Sequence, residues 1–128
     1  MLAMVIDDSR AMRMILRRIA VQLGFEVAEA GNGREALDFL ATSEEVPSFA
    51  LVDWNMPEMN GLDFVTAVRA DQRLRSMTLM MVTTEGERSQ IVRALAAGAH
   101  EYVIKPFTPD AIEEKLALLG VVATGVDA

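Results

Sequence analysis

Three carboxylates, a hydroxyl and an ammonium carry the chemistry this sequence could perform. Asp7 and Asp8 close the apolar run LAMVI (2–6), Asp53 closes FALV (49–52), Thr83 and Thr84 close MTLMMV (77–82), and Lys105 closes EYVI (101–104). In an open α/β sheet, function collects beyond the carboxyl ends of the strands. If these runs are strands of one such sheet, groups from the whole length of the chain meet at one edge. Carboxylates within about 4–6 Å disfavour one another's ionised forms, so the cluster calls for a cation. Mg2+, with oxygen ligands at about 2.1 Å and positions left over for phosphate oxygens, meets that demand. Lys105 and Thr83 opposite the ion would neutralise the equatorial oxygens of a transferring phosphoryl group. Asp53, alone at the end of a central strand, is the candidate nucleophile for an acyl phosphate, and the Asp7–Asp8 pair suits the metal. Singly, each residue has a plainer reading. The acids could cap helices, Thr83 could cap the helix that follows, and Lys105 could be a solvated loop lysine; their joint placement is the signal.

The elements that must position these groups are legible from periodicity. Short, weakly alternating apolar runs are expected of parallel strands covered on both faces. GFEVAEA (24–30) alternates more strongly and is expected at the edge of the sheet. Between the runs lie helical stripes: Met12, Ile15, Leu16, Ile19 and Leu23 within 11–23; Ala36, Leu37 and Leu40; Leu62, Val65 and Val68; Ile91, Ala94 and Leu95; and Ile112, Leu116 and Leu119. Arg13, Arg17 and Arg18 fall largely off the first stripe. Asn32 with Glu35, Asn60 with Asp63, and Thr108 before Pro109 supply helix-start signals. The result is a βα repeat, a five-stranded parallel sheet with helices on both faces.

At 128 residues, 52% hydrophobic and 24% charged, the chain fits one domain with an ordinary core. The expected division is a domain over 1–120 and a short tail over 121–128. The absence of cysteine removes disulfides, thiolate catalysis and Cys-ligated metals. A net charge of -7, from 12 basic against 19 acidic residues, argues against coating nucleic acid. His100 is the single histidine, so no His-rich metal site can form, and Met56 and Met59 are expected to pack a loop. Lys105 and Lys115 are the two lysines, which makes Lys105 conspicuous. Acids follow the first apolar run within MLAMVIDDSR, and no apolar run reaches 18 residues. The expectation is therefore a cytoplasmic monomer with no signal peptide and no membrane insertion.

Taken together, VIDDSR, LVDWNMPEMNGLDF, MMVTTE and EYVIKPFT resemble the response-regulator receiver domain, more narrowly the stand-alone chemotaxis regulators. That resemblance spans nearly the whole chain. It implies the doubly wound, flavodoxin-like strand order 2-1-3-4-5 and a set of roles. Asp53 would be the phosphoacceptor. Asp8 would bind Mg2+ directly, Asp7 directly or through water, with Asp53 and the Asn55 backbone carbonyl completing the site. Thr83 would contact the phosphoryl group and move, Lys105 would pair with its oxygens, and Tyr102 would swing inward as the switch aromatic. Tyr102 read as a strand residue alone is a half-exposed packing group. Asn55 and Glu85 occupy the rate-modulating positions of fast-dephosphorylating members. A cis peptide is implied between Lys105 and Pro106, a state populated by about 5% of X-Pro bonds. Two departures bear on coupling: Thr84 is bulkier than the family's usual Ala or Gly, and Glu101 adds charge beside Tyr102.

The implied activity is phosphoryl transfer from a sensor histidine kinase, or a small phosphodonor, to Asp53, followed by autodephosphorylation. No turnover of a separate substrate is implied. Output would pass through protein–protein binding on the face of the fourth helix, fifth strand and fifth helix, with Ile91, Ala99, Tyr102 and Lys115 contributing. Implied partners are the kinase, an output protein such as a flagellar motor switch component, and a phosphatase. Alternatives within this reading are a phosphate sink, a phosphorelay shuttle, or a docking domain that is never phosphorylated. A haloacid-dehalogenase-type phosphohydrolase would place a second Asp where Asn55 stands. An FMN carrier would place phosphate-cradling Ser, Thr and Gly where DDSR stands.

Overall fold

The computed structural model describes residues 1–84 and 88–121. Among them strands and helices alternate in the order β1 (Leu2–Ile6), α1 (Arg10–Gln22), β2 (Glu26–Ala30), α2 (Gly33–Thr42), β3 (Phe49–Asp53), α3 (Gly61–Ala70), β4 (Thr78–Thr84), α4 (Arg88–Ala97), β5 (Glu101–Lys105) and α5 (Pro109–Leu118). The strands pair in parallel in the order β2-β1-β3-β4-β5, a doubly wound, flavodoxin-like sheet. Strand order reverses about β1, so crevices open beyond the carboxyl ends of β1 and β3.

Alternation along each strand divides the core in two. Ala3, Val5, Leu51, Met80 and Val82 meet Leu16 and Ile19 of α1 and Ile112 and Leu116 of α5. Met4, Ile6, Val52, Leu79 and Met81 meet Leu40 of α2, Phe64, Val65 and Val68 of α3, and Ala94 of α4. Every residue of β3 is buried, which explains why FALV shows no alternation: both of its faces are core. Each such large side chain contributes about 1.5–3 kcal/mol through burial. The edge position expected of the second strand is observed: β2 ends the sheet order, with Glu26 and Glu29 exposed while Val27 packs against one core and Ala28 and Ala30 against the other.

The helix-start signals act as expected. Asn32 Oδ1 accepts from Glu35 N at 2.9 Å, Asn60 Oδ1 from Asp63 N at 2.9 Å, and Thr108 Oγ1 from Ala111 N at 3.2 Å. Three apolar placements differ from expectation. Ile15 is 47% exposed because the buried stripe of α1 centres on Leu16, Ile19 and Ala20, and Ile15 falls at its margin. Leu95 is 39% exposed, leaving Ile91 and Ala94 as the packed residues of α4. Ala99, expected on the output face, is 7% exposed and belongs to the core.

At the edge opposite the strands' carboxyl ends, Arg69 of α3 fastens the chain between α3 and β5. Its Nε donates to Gly98 O at 2.9 Å and its Nη2 to Met77 O at 2.8 Å. His100 Nδ1 accepts from Leu79 N at 3.1 Å, so the ring is neutral with its proton on Nε2.

Candidate phosphoryl and metal site

The carboxyl ends of β1, β3 and β5 deliver Asp7, Asp53 and Lys105 to one crevice. Register fixes their neighbourhood: Ile6 pairs with Val52, Asp53 with Val82, Thr83 with Ile104 and Thr84 with Lys105. The Lys105 ammonium stands 3.0 Å from Asp53 Oδ1 and 3.8 Å from Asp7 Oδ2. Asp7, Asp8 and Asp53 each present a carboxylate oxygen within 4.8 Å of the others. Asp7, Asp53 and Thr83 are buried, whereas Asp8 and Asn55 are exposed at the rim. The peptide between Lys105 and Pro106 is cis. Glu85 lies outside the described residues.

Local structure holds this edge in place. Asp7 N donates to Ala30 O at 3.1 Å, and Ser9 N donates to Asp7 Oδ1 at 2.8 Å. The second carboxylate oxygen, Asp7 Oδ2, is buried without a hydrogen-bond donor, an arrangement costing about 1–3 kcal/mol when nothing answers it. After β3 the chain turns sharply: Gly61 N donates to Trp54 O at 2.9 Å, and α3 begins against the strand end. A Cβ at Gly61 would lie 2.8 Å from Asp53 O and 2.7 Å from Met81 Cε, so this close approach requires glycine.

Electrostatics marks the crevice as short of positive charge. Burial pushes the Asp53 carboxyl up to about 6; the Lys105 hydrogen bond opposes the rise, and the charges of Asp7 and Asp8 add to it. Asp7 is raised too, chiefly by burial, against the Ser9 amide and Lys105. Oxygen donors, an orphaned buried carboxylate oxygen and surplus negative charge fit a hard divalent cation such as Mg2+ and do not suit a soft metal.

Two residues next to the site escape a reading of periodicity. Gly61 gives no signal beyond following a capping Asn. Arg13, which falls largely off the apolar stripe of α1, donates from Nη1 to Asp7 O at 2.6 Å, and its Nε lies 3.4 Å from Glu29 Oε1. A neighbouring expectation also changes. The charge of Glu101 is answered by Lys115 Nζ at 3.4 Å, and that ammonium stands 5.2 Å from the centroid of the Tyr102 ring. Tyr102 itself is half-buried and pairs with Met81, two residues before Thr83 on the adjacent strand.

A parallel doubly wound sheet with an acidic triad and a lysine at its carboxyl edge defines a receiver domain, and this chain belongs to the response regulator receiver domain family, which matches residues 3–117. Within that family it is closely related to stand-alone bacterial chemotaxis proteins of the CheY type. It is 46% identical over 114 residues to a "Chemotaxis protein CheY homolog" of Campylobacter jejuni, covering 88% of this chain and 87% of that one. It is 44% identical over 117 residues to "Chemotaxis protein CheY1" of Helicobacter pylori, covering 91% and 94%. Among solved structures, chemotaxis response regulator CheY4 of Vibrio cholerae superposes with a TM-score of 0.83 at 30% identity, over 92% of this chain and 97% of that chain. Among the described residues, no helix is long and apolar enough to cross a membrane.

Proposed function

We propose that this chain is a phosphorylation-activated response regulator that takes a phosphoryl group on Asp53 from a sensor histidine kinase or a small phosphodonor. The observation that carries this reading is the Asp7–Asp8–Asp53 triad, with the Lys105 ammonium 3.0 Å from Asp53 Oδ1. An ionised Asp53 oxygen attacks phosphorus in line, the bond from phosphorus to the donor's imidazole nitrogen breaks, and that nitrogen keeps the electron pair. Asp7, Asp8 and Asp53, with the Asn55 carbonyl, would hold Mg2+, which when bound offsets the charge gathering on the phosphoryl oxygens. Lys105 supplies a fixed positive charge to the same oxygens, and Thr83 a hydroxyl. Water then attacks the acyl phosphate, returning the Asp53 carboxylate and inorganic phosphate. Asn55 and Glu85 tune that step.

Output follows from the same site. Thr83 and Lys105 draw toward the new oxygens, Tyr102 turns inward on the sheet face it shares with Thr83, and the α4–β5–α5 face changes its affinity for a partner. A groove of about 420 Å3 lined by Arg88, Ile91, Val92, Leu95, Tyr102 and Ile104 offers that partner an apolar seat beside the switch. The relatives' printed role in chemotaxis supports a flagellar motor component as the target, and a phosphate sink or phosphorelay shuttle is the alternative within the same chemistry. With Mg2+ and a small phosphodonor, the wild type should gain acid-labile phosphate and D53N should not. Equal incorporation in D53N overturns the role of Asp53. Equal recovery of the motor target by phosphorylated and unphosphorylated protein overturns the switch.

A further inference from the structure

The strongest polar feature outside the triad is the chain of ion pairs that ends on the backbone of Asp7. Arg17 Nη1 of α1 lies 2.8 Å from Glu29 Oε2 on the edge strand β2, and the other oxygen of Glu29 faces Arg13 Nε at 3.4 Å. Arg13 in turn donates from Nη1 to the carbonyl oxygen of Asp7 at 2.6 Å. That carbonyl lies in the peptide plane that leads directly into Asp8. Three constraints therefore meet at Asp7: its N–H on Ala30 O, its Oδ1 on Ser9 N, and its carbonyl on Arg13. The first two fix the buried residue. The third fixes the plane from which the exposed Asp8 side chain departs.

The guanidinium is suited to this task because one end of its planar group hydrogen-bonds the loop carbonyl through Nη1 while Nε keeps an ion pair with Glu29 on the strand. Arg13 also lines, with Asp8, Glu29 and Pro57, a groove of about 460 Å3 between the loops after β1, β2 and β3, so it shares a groove with the exposed member of the triad. A purely solvated arginine at an off-stripe position would do neither.

We infer that Arg13, buttressed by Glu29, is a positioning residue for the divalent cation: by pinning the Asp7 carbonyl it holds Asp7 and Asp8 in the orientation that binds metal. This rests on the metal-site reading above and adds to it a residue that does not touch the ion. Groups that orient metal ligands change affinity by about 10–100-fold when removed. Arg17 reaches only the far oxygen of Glu29, and its loss leaves the Arg13–Asp7 bond intact.

The test is titration of the metal-free protein with Mg2+ alone, read by calorimetry and by the fluorescence of Trp54, the chain's single tryptophan, beside Asp53. R13M should weaken Mg2+ binding about tenfold. R13K, which keeps the charge on a single nitrogen and cannot span the Asp7 carbonyl and Glu29 together, should recover part of the loss, E29Q should show a smaller loss, and R17A should bind as the wild type does. Thermal unfolding of each metal-free variant reports whether the fold is retained. If R13M does not fold, the comparison of R13K and E29Q with R17A decides. Variants at Arg13 and Glu29 that bind Mg2+ as tightly as wild type overturn the inference and leave the metal site standing. A wild type that binds no Mg2+ overturns both.

Discussion

Lys105 Nζ lies 3.0 Å from Asp53 Oδ1, making the ammonium from the end of β5 the immediate counter-charge of the carboxylate from the end of β3. Without a bound cation it is not enough: burial still carries Asp53 to about 6. K105M removes an influence that lowers this value, so the Asp53 carboxyl should titrate above about 6 in the metal-free variant. Carbon NMR of the Asp53 carboxyl across pH measures this; an unchanged midpoint would detach Lys105 from the electrostatics of the site.

The raised value has a consequence for folding. In the unfolded chain Asp53 titrates near its ordinary 3.8, so between about 4 and 6 the folded state binds the extra proton, and stability falls as pH rises through that window. At pH 7 the metal-free site is therefore a net cost. D53N should raise metal-free stability by about 1–3 kcal/mol at pH 7 and by much less at pH 4, measured by urea unfolding. Mg2+ should stabilise the wild type more than D53N, since it binds the charged folded site.

Gly61 makes a separate prediction about geometry. A methyl group there would press on the Asp53 carbonyl and on Met81, and backbone at 2.8 Å cannot give way cheaply. G61A should lose about 1–3 kcal/mol of stability and lower the rate of phosphorylation, because the strand end that carries Asp53 must shift. Urea unfolding together with phosphodonor kinetics checks both parts.

His100 should impose the opposite pH dependence from Asp53. Burial, with Arg69 nearby, lowers its titration below the ordinary 6.5, and Leu79 N–H occupies the nitrogen that would have to be protonated. Its contribution is full above pH 6.5 and is lost as pH falls through the lowered folded value. Relative to wild type, H100N, whose amide oxygen can still accept from Leu79, should lose less stability between pH 7 and pH 5. Parallel pH profiles would show that His100 is not titrating in that range.

The fold was legible because burial on both faces writes itself into composition: LAMVI, FALV and MTLMMV name three strands, and Asn32, Asn60 and Thr108 name three helix starts. The triad followed from the same pattern, since a polar residue closing an apolar run stands at a strand's carboxyl end. Hydrophobic periodicity could not reveal Arg13 or Gly61. An arginine that leaves a helix sideways to reach a backbone carbonyl looks solvated in any stripe count. A glycine required by an approach between α3 and β3 depends on contacts made only when the chain closes. Ile15 and Leu95 differ for a related reason: a periodic stripe gives a helix face but not its width, which depends on how α1 and α4 lie against the sheet, whereas Ala99, assigned to the output face by resemblance, lies past the end of α4 and packs into the core.

Reductive trapping locates the phosphoryl group on the chain. Protein treated with Mg2+ and a small phosphodonor is quenched with borohydride, which converts an aspartyl phosphate to homoserine, and the digested peptides are mapped by mass. Homoserine is expected at position 53 in the phosphodonor-treated wild type and none without phosphodonor. Homoserine at another aspartate, or phosphate incorporation with Asp53 intact, would contradict it.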